Sequence, residues 1–183
     1  MSAVSGEETI RTQIERLFGE GKSCTQCVFL GLQKELGVPG PSLLQGSDGL
    51  AKGLGGMGSL CGALVAGMMA IAISEARSKS GDTVSPMNEW LDVYMPSQRE
   101  QVFQRCQELR SRFARQALGR FGSLNCRDIS GVDWSNPSPM DLARYYAADG
   151  RVKDCMDVVA QIVKDILDLQ ASGTSARWIG PDI

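Results

Sequence analysis

The stretch Gly53–Ile73 constrains this chain most. A glycine-dense loop, Gly53 to Gly58, runs into an uninterrupted apolar segment, Leu60 to Ile73, with Cys61 at the junction. That segment is shorter than the ~20 residues that span a bilayer, so it reads as a helix covered on all sides by other parts of the protein. The glycines let the loop backbone take positive φ and come close to another object. The first helical turn beyond them leaves N–H groups unpaired and carries partial positive charge. A thiolate at Cys61 would be stabilised there and its pKa lowered. An anionic metal–sulfur group would suit the same geometry. The plainer alternative is a glycine turn before a core helix, with Cys61 as a small apolar residue.

A core helix needs partners, and helical periodicity supplies them. Glu7–Glu20 places Ile10, Ile14, Leu17 and Phe18 on one face. Cys24–Leu36, with Ser23 as its N-cap, places Cys24, Cys27, Val28, Gly31 and Leu32 inward. Ser97–Leu118 aligns Val102, Cys106, Leu109, Phe113 and Ala117. Arg151–Gln170 aligns Cys155, Val158, Val159, Ile162, Val163, Ile166 and Leu167. Shorter helices are expected over Ser42–Lys52, Pro86–Tyr94 and Asp141–Ala148, with a tight turn over Ser123–Gly131 and irregular chain from Val132 to Pro139. No strand alternation, repeat or linker is visible. The expectation is an all-α, single-domain bundle of about four to six helices across residues 1–183, with its core over about 7–170 and a tail over 171–183. At 183 residues the chain is long enough for a sizeable core.

Composition narrows the chemistry. The chain has six cysteines, no histidine and a formal net charge of −2. The charge gives no reason to expect nucleic-acid binding. The polar start has no apolar signal segment, so a cytoplasmic, non-membrane protein is expected. Cysteines in that compartment point to metal, cluster or redox chemistry and away from a disulfide scaffold. The missing histidine excludes haem attachment through Cys-x-x-Cys-His, a Cys₂His₂ zinc site, Rieske ligation and any Ser-His or Cys-His catalytic pair.

Cys24, Cys61, Cys126 and Cys155 lie at or near the ends of elements, where thiolates can be presented together. Four thiolates suffice for an iron–sulfur cluster or for structural zinc. Their spacing matches neither a zinc ribbon nor a ferredoxin run. Cys106 reads as core, while Cys27 reads as core or as an alternative to Cys24. Arg105, Arg112 and Arg115 form a solvated face or a docking patch for an acidic redox partner.

At these residues the chain resembles the C_GCAxxG_C_C family of redox-active proteins, related to the non-haem part of split-Soret cytochromes c. Ser23–Leu30 resembles the family's opening motif at Cys24, and Gly55–Gly67 its glycine-rich second motif at Cys61. Gly122–Gly131 resembles the third, at Cys126, and Asp154–Val159 the last, at Cys155. The resemblance runs from about residue 10 to residue 169, without the haem-attachment segment. It implies an iron–sulfur cluster, of the 2Fe–2S type, held by Cys24, Cys61, Cys126 and Cys155. It also implies a homodimer serving a redox partner protein, an electron carrier more than an enzyme with its own substrate. Gly55, Gly56, Gly58 and Gly62 are expected to allow close approach and to offer N–H groups to the cluster. The rival readings are a metal-free thiol–disulfide redox protein and a zinc-stabilised interaction module. The first would be colourless with a reversible thiol count, and the second would unfold on chelation.

Overall fold

A computed structural model describes residues 9–36, 41–80 and 96–171. Helix α1 (Ile10–Gly19) starts at Thr9, whose side chain accepts from Thr12 N. Helix α2 (Cys24–Leu36) starts at Ser23, whose hydroxyl accepts from Gln26 N at 3.4 Å, so the expected cap is present. The expected helix Ser42–Lys52 is instead broken. A short α3 (Pro41–Gly46) passes into a 3₁₀ turn, Ser47–Leu50, and then a tight turn, α4 (Ala51–Leu54). The apolar segment forms α5 (Gly62–Ser80), and a long α6 (Pro96–Phe121) follows. Short helices α7 (Cys126–Ser130) and α8 (Pro139–Tyr146) precede the last helix, α9 (Val152–Ala171). The expected helix Pro86–Tyr94 and the tail from Ser172 lie outside the described residues.

The fold is all-α, with more helices than the four to six expected because the connections contain short ones. Among the described residues the only β-type pairing is one antiparallel bridge, Leu60 to Asn125. No described helix is long and apolar enough to cross a membrane.

Helix α2 packs on α5 and α9, α5 on α6 and α9, and α1 on α9. The inner faces are those the periodicity marks. Ile14, Val28, Leu32, Leu64, Leu109, Val159, Val163 and Ile166 are fully buried. Each such side chain contributes roughly 1.5–3 kcal/mol relative to exposure, so the bundle is held by burial. Arg120 bridges α6 to Asp154 and Asp157 of α9, while Arg11 of α1 also reaches Asp157.

Helix α8 is too short to persist on its own. Ser138 and Asp141 form a capping box, with the Ser138 hydroxyl accepting from Asp141 N at 3.1 Å. Ser138→Ala is expected to lower stability by about 1 kcal/mol, read by denaturant unfolding. It should also loosen Tyr145, which α8 carries into the interior.

Candidate metal centre

Three elements bring the chemistry to one end of the bundle. The first is a turn wound the wrong way. From Lys52 through Gly56 every φ is positive: 55°, 72°, 63°, 67° and 82°. Left-handed winding costs roughly 1–2 kcal/mol for each residue other than glycine, so Lys52 and Leu54 hold stored strain. The turn closes on itself, with Gly55 N and Gly56 N donating to Ala51 O and Gly58 N donating to Lys52 O at 3.1 Å.

The second element is a zipper between this loop and α7. Cys126 N donates to Ser59 O at 2.6 Å, Cys61 N to Leu124 O at 3.0 Å, and Arg127 N to Gly58 O at 3.1 Å. The Arg127 guanidinium adds a bond to Met57 O at 2.9 Å. Cys61 and Cys126 are therefore tied together through the backbone on either side of them. The third element is the N-terminus of α2. Buried Thr25 donates to Ser47 O at 2.9 Å, and Ser23 donates to Asp48 at 2.7 Å. These bonds hold Cys24 beside the left-handed turn.

Cys24, Cys126 and Cys155 line one cavity of about 150 Å³, together with Lys22, Lys52, Ser130, Trp134, Tyr145 and Tyr146. Cys61 does not line it. It is 6% exposed, and its sulfur faces Cys24, Cys155 and Cys126 closely enough for each to disfavour its ionisation. Cys24 acts in the same way on Cys126 and Cys155, as does Cys126 on Cys155. Each of the four thus senses the other three, and one chain supplies them all. Of the remaining two, Cys27 also feels Cys24, which adds to its raised ionisation, and Cys106 is raised by burial alone. The Cys27 thiol is directed at Lys22 O at 3.8 Å within the core, and that of Cys106 at Met68 O at 3.7 Å.

Burial decides the ionisation of these thiols. It pushes Cys61 well above the ordinary value, and neighbouring Cys24 adds to this. The expected lowering at Cys61 is therefore corrected: desolvation outweighs the helix N-terminus, although Leu64 N does face the sulfur. Burial raises Cys24 as well, against four backbone N–H groups, those of Lys52, Thr25, Cys24 itself and Ala63. Cys126 stands at about 11 and Cys155 at about 12, both through burial first.

The donors to the sulfurs differ by position. Cys24 receives backbone amides from two helix starts and from the left-handed turn. Cys126 is approached by the Ser130 hydroxyl and the Trp134 indole N–H. Ser130 Oγ accepts from Trp134 Nε1 at 3.0 Å and from Val132 N at 3.2 Å, which leaves its own proton free for Cys126. The Tyr145 phenol meets Cys155, and burial keeps that phenol protonated and hence a donor.

Gly55, Gly56 and Gly58 do not act as amide donors to the sulfurs, since their N–H groups bond the loop's own carbonyls. Gly62 serves close approach, because a Cβ there would lie 2.2 Å from Leu50 O. Gly53 has the positive φ and the close approach expected of the loop glycines, since a Cβ there would lie 2.7 Å from the Cys126 Cβ. Sequence reading missed Lys52, Ser130, Trp134 and Tyr145. The available signal was a pair of large aromatics in an otherwise polar, irregular stretch, which usually bury.

Arg105 and Arg112 do not stand beside this site. Arg105 pairs with Glu75 and bonds Gln170 at 2.9 Å, and Arg112 pairs with Glu108 at 2.9 Å. Glu75 lies thirteen positions beyond Gly62 on α5, about 20 Å along the helix axis from the cysteine end.

The donor set is soft, all sulfur, and no carboxylate lines the cavity. Ionising four buried thiols together requires a compensating cation, and metal binding releases those protons. Among the described residues no three His, Cys, Asp or Glu side chains are gathered as a single metal ion would require. The four sulfurs share one neighbourhood without converging on one point.

The two other thiols give a direct test of burial. Cys27 is pushed up to about 12 and Cys106 to about 11, both by burial first. A folded-state pKa above the unfolded value means stability that is complete below pH 9 and lost as pH rises towards 12. The metal-free protein is therefore expected to weaken steadily between pH 9 and 12 in denaturant titrations. Cys106→Ala should reduce that slope.

A family model described as "Putative redox-active protein (C_GCAxxG_C_C)" matches residues 22–169. No curated protein and no solved structure matches the chain.

Proposed function

The chain belongs to the C_GCAxxG_C_C family of redox-active proteins, and on that premise we propose that it is an iron–sulfur electron carrier or redox sensor. Cys24, Cys61, Cys126 and Cys155 would hold the cluster, of the 2Fe–2S type. The observation that carries this reading is the gathering of these thiols at one end of the bundle, with Cys24, Cys126 and Cys155 lining a cavity without carboxylates and Cys61 buried within their electrostatic reach.

The chain's own residues do three things there. The sulfurs ligate. The amides of Lys52, Thr25 and Ala63 offset negative charge at Cys24. The apolar walls from α2, α5 and α9 limit water around Cys61. When bound, the cluster supplies reversible storage of one electron. A redox partner protein and a homodimer belong to the same proposal.

Potentiometry separates this reading from the thiol–disulfide one. A cluster titrates as a one-electron couple, with a tenfold change in ratio per about 59 mV; a disulfide takes two electrons, with about 30 mV per tenfold. The expected result is the one-electron slope, followed at the visible bands. A two-electron slope, with loss of two free thiols on oxidation, would establish the metal-free alternative.

A further inference from the structure

Tyr145 is the buried phenol at the sulfur site, and nothing in the ligand set requires it. It is 7% exposed and shares the cavity wall with Cys24, Cys126 and Cys155. Its ring is fixed on two sides. Trp134 meets it edge-on at 5.2 Å and 86°, and Tyr146 at 4.8 Å and 80°. Leu142, Val152 and Val132 pack in the same cluster, and the capping box of α8 holds its helix. A phenol buried this way must find a partner for its O–H, and Cys155 packs against the same aromatic cluster and lines the same cavity.

We propose that Tyr145 is the residue that sets the redox poise of this site, by donating its phenol hydrogen bond to Cys155. The inference rests on the cluster reading above. Uptake of one electron, from the electrode in the test below, places additional negative charge on the ligand sulfurs. No bond forms or breaks, and the phenol keeps its proton. A donor aimed at a sulfur stabilises the more negative state more than the less negative one, so it raises the potential. Trp134 and Ser130 act similarly at Cys126 but are bonded to each other as well.

The test is anaerobic spectroelectrochemical titration of wild type, Tyr145→Phe and Ser111→Ala, with iron and acid-labile sulfide assayed on each sample. Tyr145→Phe keeps the ring and its edge contacts and is expected to keep full iron and sulfide. At a fixed poise its ratio of reduced to oxidised protein should fall about tenfold, a shift of about 59 mV to lower potential. Ser111, on α6 with its hydroxyl on Gln107 O at 2.8 Å, is the control, and Ser111→Ala should titrate as wild type. An unchanged potential in a fully loaded Tyr145→Phe protein overturns the inference and leaves the cluster reading standing. Wild type without iron and sulfide overturns both. Should Tyr145→Phe fail to load, site-specific fluorotyrosine at 145 gives a stronger donor, and its potential must rise; a fall or no change rejects the assignment.

Discussion

Cys61→Ser is expected to lose most of the visible absorption and iron of the anaerobically prepared protein, while Cys106→Ser is expected to keep both. The contrast follows from where the two sulfurs lie. Cys61 is enclosed, faces the other three cysteines of the set, and is tied through its own amide to Leu124 beside Cys126. A serine oxygen there is a harder, poorer ligand in a site built from sulfur. The fold should survive, since serine is near cysteine in size. Cys106 lies in the core against α5, with its thiol on the Met68 carbonyl. Serine can make that bond too, so the cost should be limited to about 1 kcal/mol or less. Iron per chain, with the absorption spectrum, reads both variants. Full iron in Cys61→Ser would remove Cys61 from the ligand set.

Gly53→Ala is expected to be the most damaging single-methyl change near the site. The residue has φ 72°, which costs a Cβ-bearing residue roughly 1–2 kcal/mol. The added Cβ would also sit 2.7 Å from the Cys126 Cβ, 2.7 Å from Ser59 N and 2.8 Å from Gly58 C. None of these is the free end of a flexible side chain, so relief requires separating the loop from α7. Overpacking of this kind adds about 1–3 kcal/mol. A total near 3 kcal/mol should lower the midpoint of thermal unfolding by roughly 6–12 °C. Metal loading should fall with it, because the same movement parts Cys126 from Cys61. Gly119→Ala is the matched control. It sits in α6 with nothing within 4 Å of a Cβ, and alanine there should stabilise by up to about 1 kcal/mol. Equal stability of the two variants would show that the close approach at Gly53 is not required.

The bundle was legible because its signal is local and repeated. The stripe Val102, Leu109, Phe113 and Ala117 on α6 is buried as its spacing implies, as are Val159, Ile162, Val163 and Ile166 on α9. Cap chemistry placed the start of α2 at Ser23. The stretch after α3 was misread because Lys52–Gly56 turns left-handed. Lys52 and Leu54 carry no sequence mark of positive φ, and long-range bonds to α7 hold them there. The four end-of-element cysteines could be nominated from the chain, and the fold brings them together. What surrounds them could not be read, since Trp134, Ser130 and Tyr145 gain their roles only when α7 and α8 fold over α2 and the left-handed turn. The thiol ionisation was misjudged for a related reason. A helix N-terminus is visible in a sequence, but the depth of burial that outweighs it is not.

The cluster itself is tested most directly by purifying the protein without oxygen and recording absorption from 300 to 700 nm. Iron, acid-labile sulfide and zinc are assayed on the same sample. A brown protein with broad charge-transfer bands that bleach with dithionite, and with iron and sulfide in equal amounts, is the expected result. A colourless protein carrying stoichiometric zinc, or one without metal after anaerobic reconstitution with iron and sulfide, would contradict it.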